Sequence, residues 1–359
     1  MSTQISIDDR PGAPGGGTSS QSPKSAGASA PLSVGLVSPA WPLDAYPNGI
    51  ITYVANVAEG MRLLGHRPTI LAQALAAGDW GDSVYDSQSV RSSRSMARRV
   101  LDGLGYRVAP ESVRERISRR KLLATTRRAI AERGLQILEM EETFGLAGWL
   151  QRAIPIPVCI RLHGPWFLNG AALGMAEDNG FRRRVAHEGW AIRQASAVTA
   201  PSLDVLEQTR AYYGLALEEA VVIPNPTYPV APAERWRLAR CDPKQVLFIG
   251  RFDRHKGGDL IVEAFAKVLR AVPDARLCFV GPDVGLASDD GRRWDVAGFI
   301  DDRLPGARES GRVNVMGKVP NSKLDELRRK AMVTVACSRY EVFGIASTED
   351  RRASCRERV

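Results

Sequence analysis

The chain has 359 residues, 44% of them hydrophobic and 25% charged, which is the composition of a soluble globular protein too long for one ordinary core. Lys and Arg outnumber Asp and Glu by 49 to 40, and the whole excess falls between Arg91 and Arg133, where thirteen Lys/Arg face four Asp/Glu; this excludes a surface that is basic throughout, as in a dedicated nucleic-acid binder, and leaves one local basic element. Five cysteines without a C-x-x-C or paired spacing exclude a disulfide framework and a zinc ribbon, and no apolar run approaches the roughly 18 to 20 residues of a spanning helix.

Residues 1–30 are rich in Ser, Gly, Ala and Pro and hold almost no large apolar side chains, so a disordered tail is expected. The tail has no apolar h-region, which argues for a cytoplasmic protein. From Pro31 strand and helix alternate. Leu32 to Ser38 reads as a buried parallel strand. A loop with Pro39, Pro42, Pro47 and Gly49 follows, then a helical stripe of Ile51, Val54, Ala58, Met61 and Leu64 stopped by Gly65. Thr69 to Ala72 is the next strand, the basic segment is read as helical, and Leu135 to Met140, Val158 to Leu162 and Ala197 to Ala200 are further strands.

Val221 to Pro224 then leads into the Pro-rich stretch 225–243, the expected linker between a first unit at 31–224 and a second at 244–349. The second unit repeats the pattern. Its strands are Val246 to Ile249, Arg276 to Val280, Val313 to Met316 and Val333 to Ala336. A helix spans Asp259 to Arg270, with Ile261, Ala264, Phe265, Val268 and Leu269 on one stripe, and another follows an expected N-cap at Asn321 or Ser322. The fold class is therefore α/β, with two Rossmann-like, doubly wound parallel-sheet domains, and ligands are expected at the carboxyl ends of the strands.

Several motifs are set aside. Gly12 to Gly17 has no strand before it and no helix after it, and Gly311 to Lys318 is one residue too long for a P-loop and lacks the Ser/Thr. The absence of Asp-x-Asp weakens any proposal of a divalent cation bridging a nucleotide diphosphate, and there is no H-E-x-x-H or G-x-S-x-G.

The informative residues lie in the second unit. Its first strand ends at Gly250 and runs into Arg251-Phe252-Asp253-Arg254-His255-Lys256-Gly257 before a helix. A glycine after a strand lets backbone approach a ligand, a helix N-terminus offers amides and positive potential, and Arg251 and Lys256 add two cations. This describes a diphosphate site; a solvated charged loop is the alternative for the loop taken alone. The last strand runs into Ser338-Arg339-Tyr340-Glu341-Val342-Phe343-Gly344 and a helical start holding Ile345 and Glu349. Glu341 can accept from sugar hydroxyls, the amides after Gly344 can hold phosphate oxygens, and Glu349 can accept from a ribose diol. Arg251 and Lys256 offset the repulsion between these carboxylates and a phosphate.

Taken together, these residues resemble the retaining glycosyltransferases of the GT-B fold, family 4, which move sugars from nucleotide diphosphate donors. The matching residues are Gly250-Arg251 with Lys256-Gly257, Gly317, and Ser338 to Gly344 with Glu349 in a Glu-x7-Glu pattern; weaker markers are Asn48-Gly49, Arg67, His163-Gly164, Ala200-Pro201-Ser202 and Ile223-Pro224-Asn225. The resemblance implies that Arg251 and Lys256 bind the donor diphosphate and Glu341 the donor hexose. It also implies that Gly250, Gly257, Phe343, Gly344, Ile345 and Glu349 line the donor site and that Gly49 lets the first loop approach the reaction centre. His163 would face the sugar, with a hydrogen-bonded core histidine as the equal alternative. Val342 and Cys337 stand where the family often has proline.

The implied co-substrate is a nucleotide diphosphate sugar, with no metal and no other cofactor, and the implied acceptor is a glycan or a lipid-linked sugar. Only ten residues follow Glu349, reading DRRASCRERV, with four arginines and no core periodicity. Residues 350–359 are expected to be a non-native ending, and the second domain is expected to be incomplete. The arginine-rich segment 91–133 suits peripheral contact with an anionic membrane on its inner face, or else a helical hairpin packed on the first domain. Rival readings are another GT-B enzyme, such as a sugar-nucleotide epimerase or a phosphorylase, and an inactive nucleotide-sugar binder. Nucleic acid is not an expected partner, since no aromatic platform accompanies the arginines.

Overall fold

The computed structural model describes residues 30–46, 48–89, 110–228, 230–288 and 291–344. The expectations for the tail at 1–29, for 90–109 of the basic segment, for Ile345 and Glu349, and for 350–359 fall outside the described residues.

Short apolar runs build the first sheet. Its strands are β1 (Ser33–Ser38), β2 (Arg67–Ala72), β3 (Val84–Asp86), β4 (Ile137–Glu141), β5 (Val158–Arg161), β6 (Ala197–Ala200) and β7 (Val221–Val222). They pair in parallel in the order β3-β2-β1-β4-β5-β6-β7. Every residue of β1 is buried, as a strand covered on both faces must be. Helix α1 (Gly49–Leu63) starts where the Asn48 side chain accepts from the Ile50 amide, and it turns Ile51, Tyr53, Val54 and Ala58 inward. The basic segment supplies α2 (Pro110–Arg133), which lies against β1, β2 and β3. Its Leu122, Thr125, Thr126 and Ala129 are buried while Arg127 and Arg128 are exposed, so the apolar side of this helix packs on the sheet.

Further helices among the described residues of this part are α3 (Leu146–Gln151), α4 (Trp166–Ala172), α5 (Asn179–Gln194) and α6 (Leu203–Tyr213). Their main core gathers Leu71, Leu122, Leu138, Leu150, Ile160 and Leu206.

The second sheet is parallel as well, with β8 (Asp242–Ile249), β9 (Arg276–Val280), β12 (Val313–Gly317) and β13 (Ala331–Val335) in the order β12-β9-β8-β13. A small antiparallel pair, β10 (Leu286–Ala287) and β11 (Arg293–Trp294), stands apart from it. Helices α7 (Gly258–Ala271), α8 (Val296–Arg303) and α9 (Asn321–Lys330) pack on the sheet or on each other. Aromatic rings fill this core: Phe248 and Phe279 lie 4.7 Å apart, with Phe252, Phe265 and Phe299 around them. One expected detail is corrected. The cap of α9 is Pro320, one residue before Asn321, and its carbonyl accepts from Lys323 and Leu324 at 3.0 and 3.1 Å; proline has no side-chain acceptor, so backbone closes the first turn. Among the described residues no helix is long and apolar enough to cross a membrane.

The Pro-rich stretch is tied down at both ends. Arg161, only 1% exposed, donates to the Ile223 carbonyl at 2.7 Å and to Asn225 Oδ1 at 2.6 Å, and its guanidinium lies 4.8 Å from the Tyr53 ring. Trp236 Nε1 donates to the Ala331 carbonyl at 2.8 Å. The Asn225 contact fixes where the chain leaves the first sheet, and it satisfies a buried charge. Replacing Asn225 with Ala removes one acceptor from that guanidinium and is expected to cost about 1–3 kcal/mol of stability. Urea denaturation of the two proteins measures it, and an unchanged midpoint would show that the contact contributes nothing.

Candidate functional site

Strands β8 and β13 are neighbours, with Val246 beside Val333 and Phe248 beside Val335, so the loops leaving their carboxyl ends begin side by side. The first of these loops is shaped by Asp253, which is 3% exposed. Its Oδ1 accepts from the Lys256 amide at 2.7 Å, and its Oδ2 pairs with Arg251 Nε at 2.7 Å. The second loop answers it. Lys256 Nζ donates to Glu341 Oε1 at 2.7 Å, and Ser338 Oγ donates to the same oxygen at 2.6 Å.

Glycine is required between the two loops. Gly257 has φ +71°, and a side chain there would run into the Cys337 carbonyl. It also occupies the N-cap of α7, which no side chain caps, so the positive end of that helix opens on the same loops. Gly250 leads the first loop, its amide donating to the Val280 carbonyl at 2.9 Å.

Further residues, without a role in the motif reading, stitch the loops together. The Arg339 guanidinium forks onto Asp259 at 2.9 and 2.7 Å and donates to the Arg254 carbonyl at 2.6 Å. The Arg339 amide donates to the His255 carbonyl at 2.9 Å, and His255 Nε2 lies 2.9 Å from the Tyr340 carbonyl. Only Asp253 carries a local signal for its part, standing three residues before the amide that it accepts from, the spacing of a side-chain turn.

Loops of the first sheet reach the same place. Gly164 has φ +99°, and a Cβ added there would lie 2.5 Å from Val342 Cγ2. Ser202, which caps α6, donates to the Val342 carbonyl at 3.2 Å. The Tyr340 hydroxyl donates to Asp204 at 3.3 Å. His163 therefore sits beside a residue in contact with the neighbour of Glu341. Its ring meets Tyr53 edge-on at 4.9 Å, and Gly49 stands one helical turn before Tyr53 on α1. Phe343 and Gly344 continue the Glu341 loop, half-buried.

His163 is partly buried. Burial, and then the positive charge of Arg161, push its imidazole down to about 3, so it is neutral around pH 7. The turn that carries it is clamped by two buried carboxyl groups. Both oxygens of Glu142 accept from the His163 amide at 3.2 and 3.0 Å, and Glu188 accepts from the Trp166 amide at 2.6 Å and from Arg184 at 2.9 Å. Glu142 is 2% exposed and Glu188 1%, and Glu141 lies beside them. Burial raises all three carboxyl groups: Glu141 to about 7, Glu142 well above its ordinary range with Glu188 as the second cause, and Glu188 upward. Sequence reasoning missed these acids, because two adjacent glutamates and a third far along the chain carry no motif.

These shifts fix the sign of a pH effect. A carboxyl group raised on folding contributes stability that is complete below its unfolded value of 4.5, and that stability is lost as pH rises through about 7 for Glu141. His163 acts in the opposite sense, with stability lost as pH falls from 6.5 toward about 3. Glu141→Gln should flatten the fall in unfolding free energy between pH 5 and pH 7 by up to about 1.4 kcal/mol per pH unit, seen as a shallower fall in Tm, and His163→Gln should flatten the fall on the acid side. Melting curves across pH that run parallel to the unsubstituted protein would contradict both.

Known proteins with these features can now be compared. Residues 48–226 match the family described as "Glycosyl transferase 4-like domain", and residues 232–352 match "Glycosyl transferases group 1". Mannosylfructose-phosphate synthase of Agrobacterium fabrum is 29% identical over 180 residues, covering 47% of this chain and 38% of that protein. D-inositol 3-phosphate glycosyltransferase of Nocardiopsis dassonvillei is 29% identical over 206 residues, covering 55% of this chain and 47% of that protein. The matched part is thus under half the length of either relative. Among solved structures, sucrose-phosphate synthase from Thermosynechococcus elongatus superposes with a TM-score of 0.59 at 18% identity, covering 89% of this chain and 78% of that one, a likeness of fold. With both matched regions, the two parallel sheets and the shared fold in view, the chain belongs to the GT-B glycosyltransferases of the family 4 type.

Proposed function

We propose that this chain moves a hexose from a nucleotide diphosphate sugar to a glycan or lipid-linked acceptor, with retention of configuration. One observation carries the reading: Lys256 and Glu341, from loops at the ends of two neighbouring strands, meet at 2.7 Å beside Arg251 and an uncapped helix N-terminus. Two cations, amides and a carboxylate within one small region suit a ligand with a diphosphate at one end and hydroxyls at the other.

The Lys256–Glu341 pair is about one-third exposed on each side, and such a pair contributes roughly 0.2–1 kcal/mol. A diphosphate can therefore draw Lys256 away at little cost, which frees Glu341 to accept from hexose hydroxyls. Arg251, aimed by Asp253, takes the second anionic oxygen. In the transfer the bond between the sugar C1 and the β-phosphate oxygen breaks, the acceptor oxygen bonds to C1 on the same face, and the acceptor proton passes to the departing phosphate. No protein nucleophile takes part. Arg251, Lys256 and the start of α7 stabilise the charge that develops on the leaving diphosphate, with about 2–4 kcal/mol expected from each such group by analogy with oxyanion-hole donors.

Neutral His163 serves as a hydrogen-bonding neighbour of the sugar and not as a cation. Gly49 leaves room at the start of α1, and Phe343, Gly344, Ile345 and Glu349 complete the donor side, with Glu349 accepting from the ribose. No metal is assigned a part in this reading. The exposed Arg127 and Arg128 of α2 suit contact with an anionic membrane that presents a lipid-linked acceptor on its inner face.

The test is a transfer assay over a panel of UDP-, GDP- and ADP-sugars that reads nucleotide release with and without acceptor. Sugar phosphates and inositol phosphate belong among the acceptors, in view of the names of the two relatives. Release is expected only when acceptor is present, which separates transfer from epimerisation. Arg251→Ala and Lys256→Ala are each expected to lower turnover by more than about tenfold. Near-unchanged rates in both variants would overturn the assignment.

A further inference from the structure

Within the donor site, the residues that touch phosphate and those that touch sugar belong to different loops, so some contact must fix one loop against the other. The Lys256–Glu341 pair cannot do this, because ligand binding is what separates it. Among the contacts that remain, one joins the residues directly before Lys256 and Glu341. His255 is 9% exposed, directly precedes Lys256, and brings its Nε2 to 2.9 Å from the carbonyl of Tyr340, the residue directly before Glu341. Its own carbonyl accepts from the Arg339 amide at 2.9 Å, so one residue holds the second loop at two successive positions.

We infer that His255 is a positioning residue, which sets the distance between the diphosphate-binding loop and the sugar-binding Glu341 by donating Nε2–H to the Tyr340 carbonyl. The inference rests on the reading of the donor site proposed above.

The chemistry of the contact explains why the residue type matters. A carbonyl oxygen only accepts, so Nε2 carries the hydrogen in whichever charge state the ring adopts. Burial, and then the neighbouring Lys256, disfavour the imidazolium, so the ring acts as a neutral donor. A lysine or arginine at this position would also reach a carbonyl, but it would add a third cation that competes with Lys256 for Glu341. A glutamine keeps a neutral N–H donor at nearly the same reach, whereas an alanine leaves the Tyr340 carbonyl without this partner. Tyr340 directly precedes Glu341, so a rotation of the peptide that joins them turns the Glu341 carboxylate. The phosphate contacts of Arg251 and Lys256 do not depend on that rotation, since Asp253 holds both from within their own loop.

The discriminating quantity is the ratio of affinity for a sugar nucleotide to affinity for the bare nucleotide diphosphate. It is measured by calorimetry on the full chain with UDP, GDP and ADP and the corresponding glucose nucleotides, in the unsubstituted protein, H255A and H255Q. H255A is expected to lose about tenfold in the ratio while its affinity for the nucleotide diphosphate stays within about threefold. H255Q is expected to retain the ratio. A ratio unchanged in H255A overturns the inference, and so does loss of nucleotide diphosphate binding in both variants, which would make His255 a support of the phosphate loop. A structural role alone would not be rescued by glutamine in the ratio while melting temperatures stayed equal. If neither the nucleotide diphosphates nor their sugar nucleotides bind the unsubstituted protein, the proposed function falls. Amide exchange then decides on His255 separately: exchange across 338–343 faster by about tenfold in H255A and unchanged in H255Q supports the contact, and equal exchange in all three proteins overturns it.

Discussion

Strands β8 and β13 lie side by side although β9 and β12 are made between them in sequence, and the site depends on that adjacency. Parallel neighbours release their chains at the same edge of a sheet, so a loop rich in cations and a loop carrying a carboxylate emerge together. The register is equally demanding. A slip of one residue would turn every β13 side chain to the opposite face and move the second loop by about 3.3 Å. The 2.7 Å contact between Lys256 and Glu341 and the close approach of Gly257 to Cys337 would both be lost. Val335 of β13 packs against the buried aromatic cluster of Phe248, Phe252, Phe265 and Phe279, and a slip would take it off that contact, so the core of the second sheet also bears on the geometry of its loops.

The two sides of the site are held by opposite electrostatic means. On the second sheet the cations are partly exposed: Arg251 pairs with the buried Asp253, and Lys256 pairs with Glu341, which is itself about one-third exposed, so that this second pair exchanges partners at small cost. On the first sheet the acidic groups are buried and shifted toward their neutral forms. Glu142 and Glu188 accept amides at His163 and Trp166, the two ends of a turn, and breaking either contact leaves a buried acceptor or amide unsatisfied. One side is therefore able to rearrange around a ligand while the other keeps its shape. A neutral His163 belongs with the fixed side, since a charged ring there would have to overcome both burial and Arg161.

Much of this was legible in the sequence, for reasons that can be stated residue by residue. Strands such as Leu32 to Ser38 and Arg276 to Val280 announce themselves as short apolar runs, and the helix after Gly257 by its stripe of Ile261, Phe265 and Leu269. Arg251, Lys256 and Glu341 could be named because each follows a strand at the edge where α/β folds bind ligands. The pairing of β8 with β13 could not be read in this way, since strand order leaves no local trace. His255 and Arg339 were invisible as a pair because their contacts cross from one loop to another. The buried acids were hidden by composition itself: glutamate in a sequence reads as surface, and only the fold places Glu142 and Glu188 under the His163 turn. The cap of α9 was misplaced by one residue because side-chain acceptors at Asn321 and Ser322 outweigh proline in a propensity argument, while the chain used the Pro320 carbonyl.

Beside the Tyr340–Asp204 contact, the junction between the first-sheet loops and the Glu341 loop is made at Val342. The Val342 carbonyl accepts from Ser202, and its side chain fills the space against Gly164. A proline at this point would offer the same carbonyl and would hold φ fixed, but its ring would present a different surface to Gly164. Valine supplies a branched methyl that packs on the bare glycine backbone, and a β-branched side chain restricts its own χ1. Gly164 must stay without a side chain both for its positive φ and for this contact. The position of His163 relative to Glu341 thus follows from a glycine and a valine that have no chemistry of their own, so substitutions at Gly164 or Val342 act on the geometry between the two sheets and leave the charged groups intact.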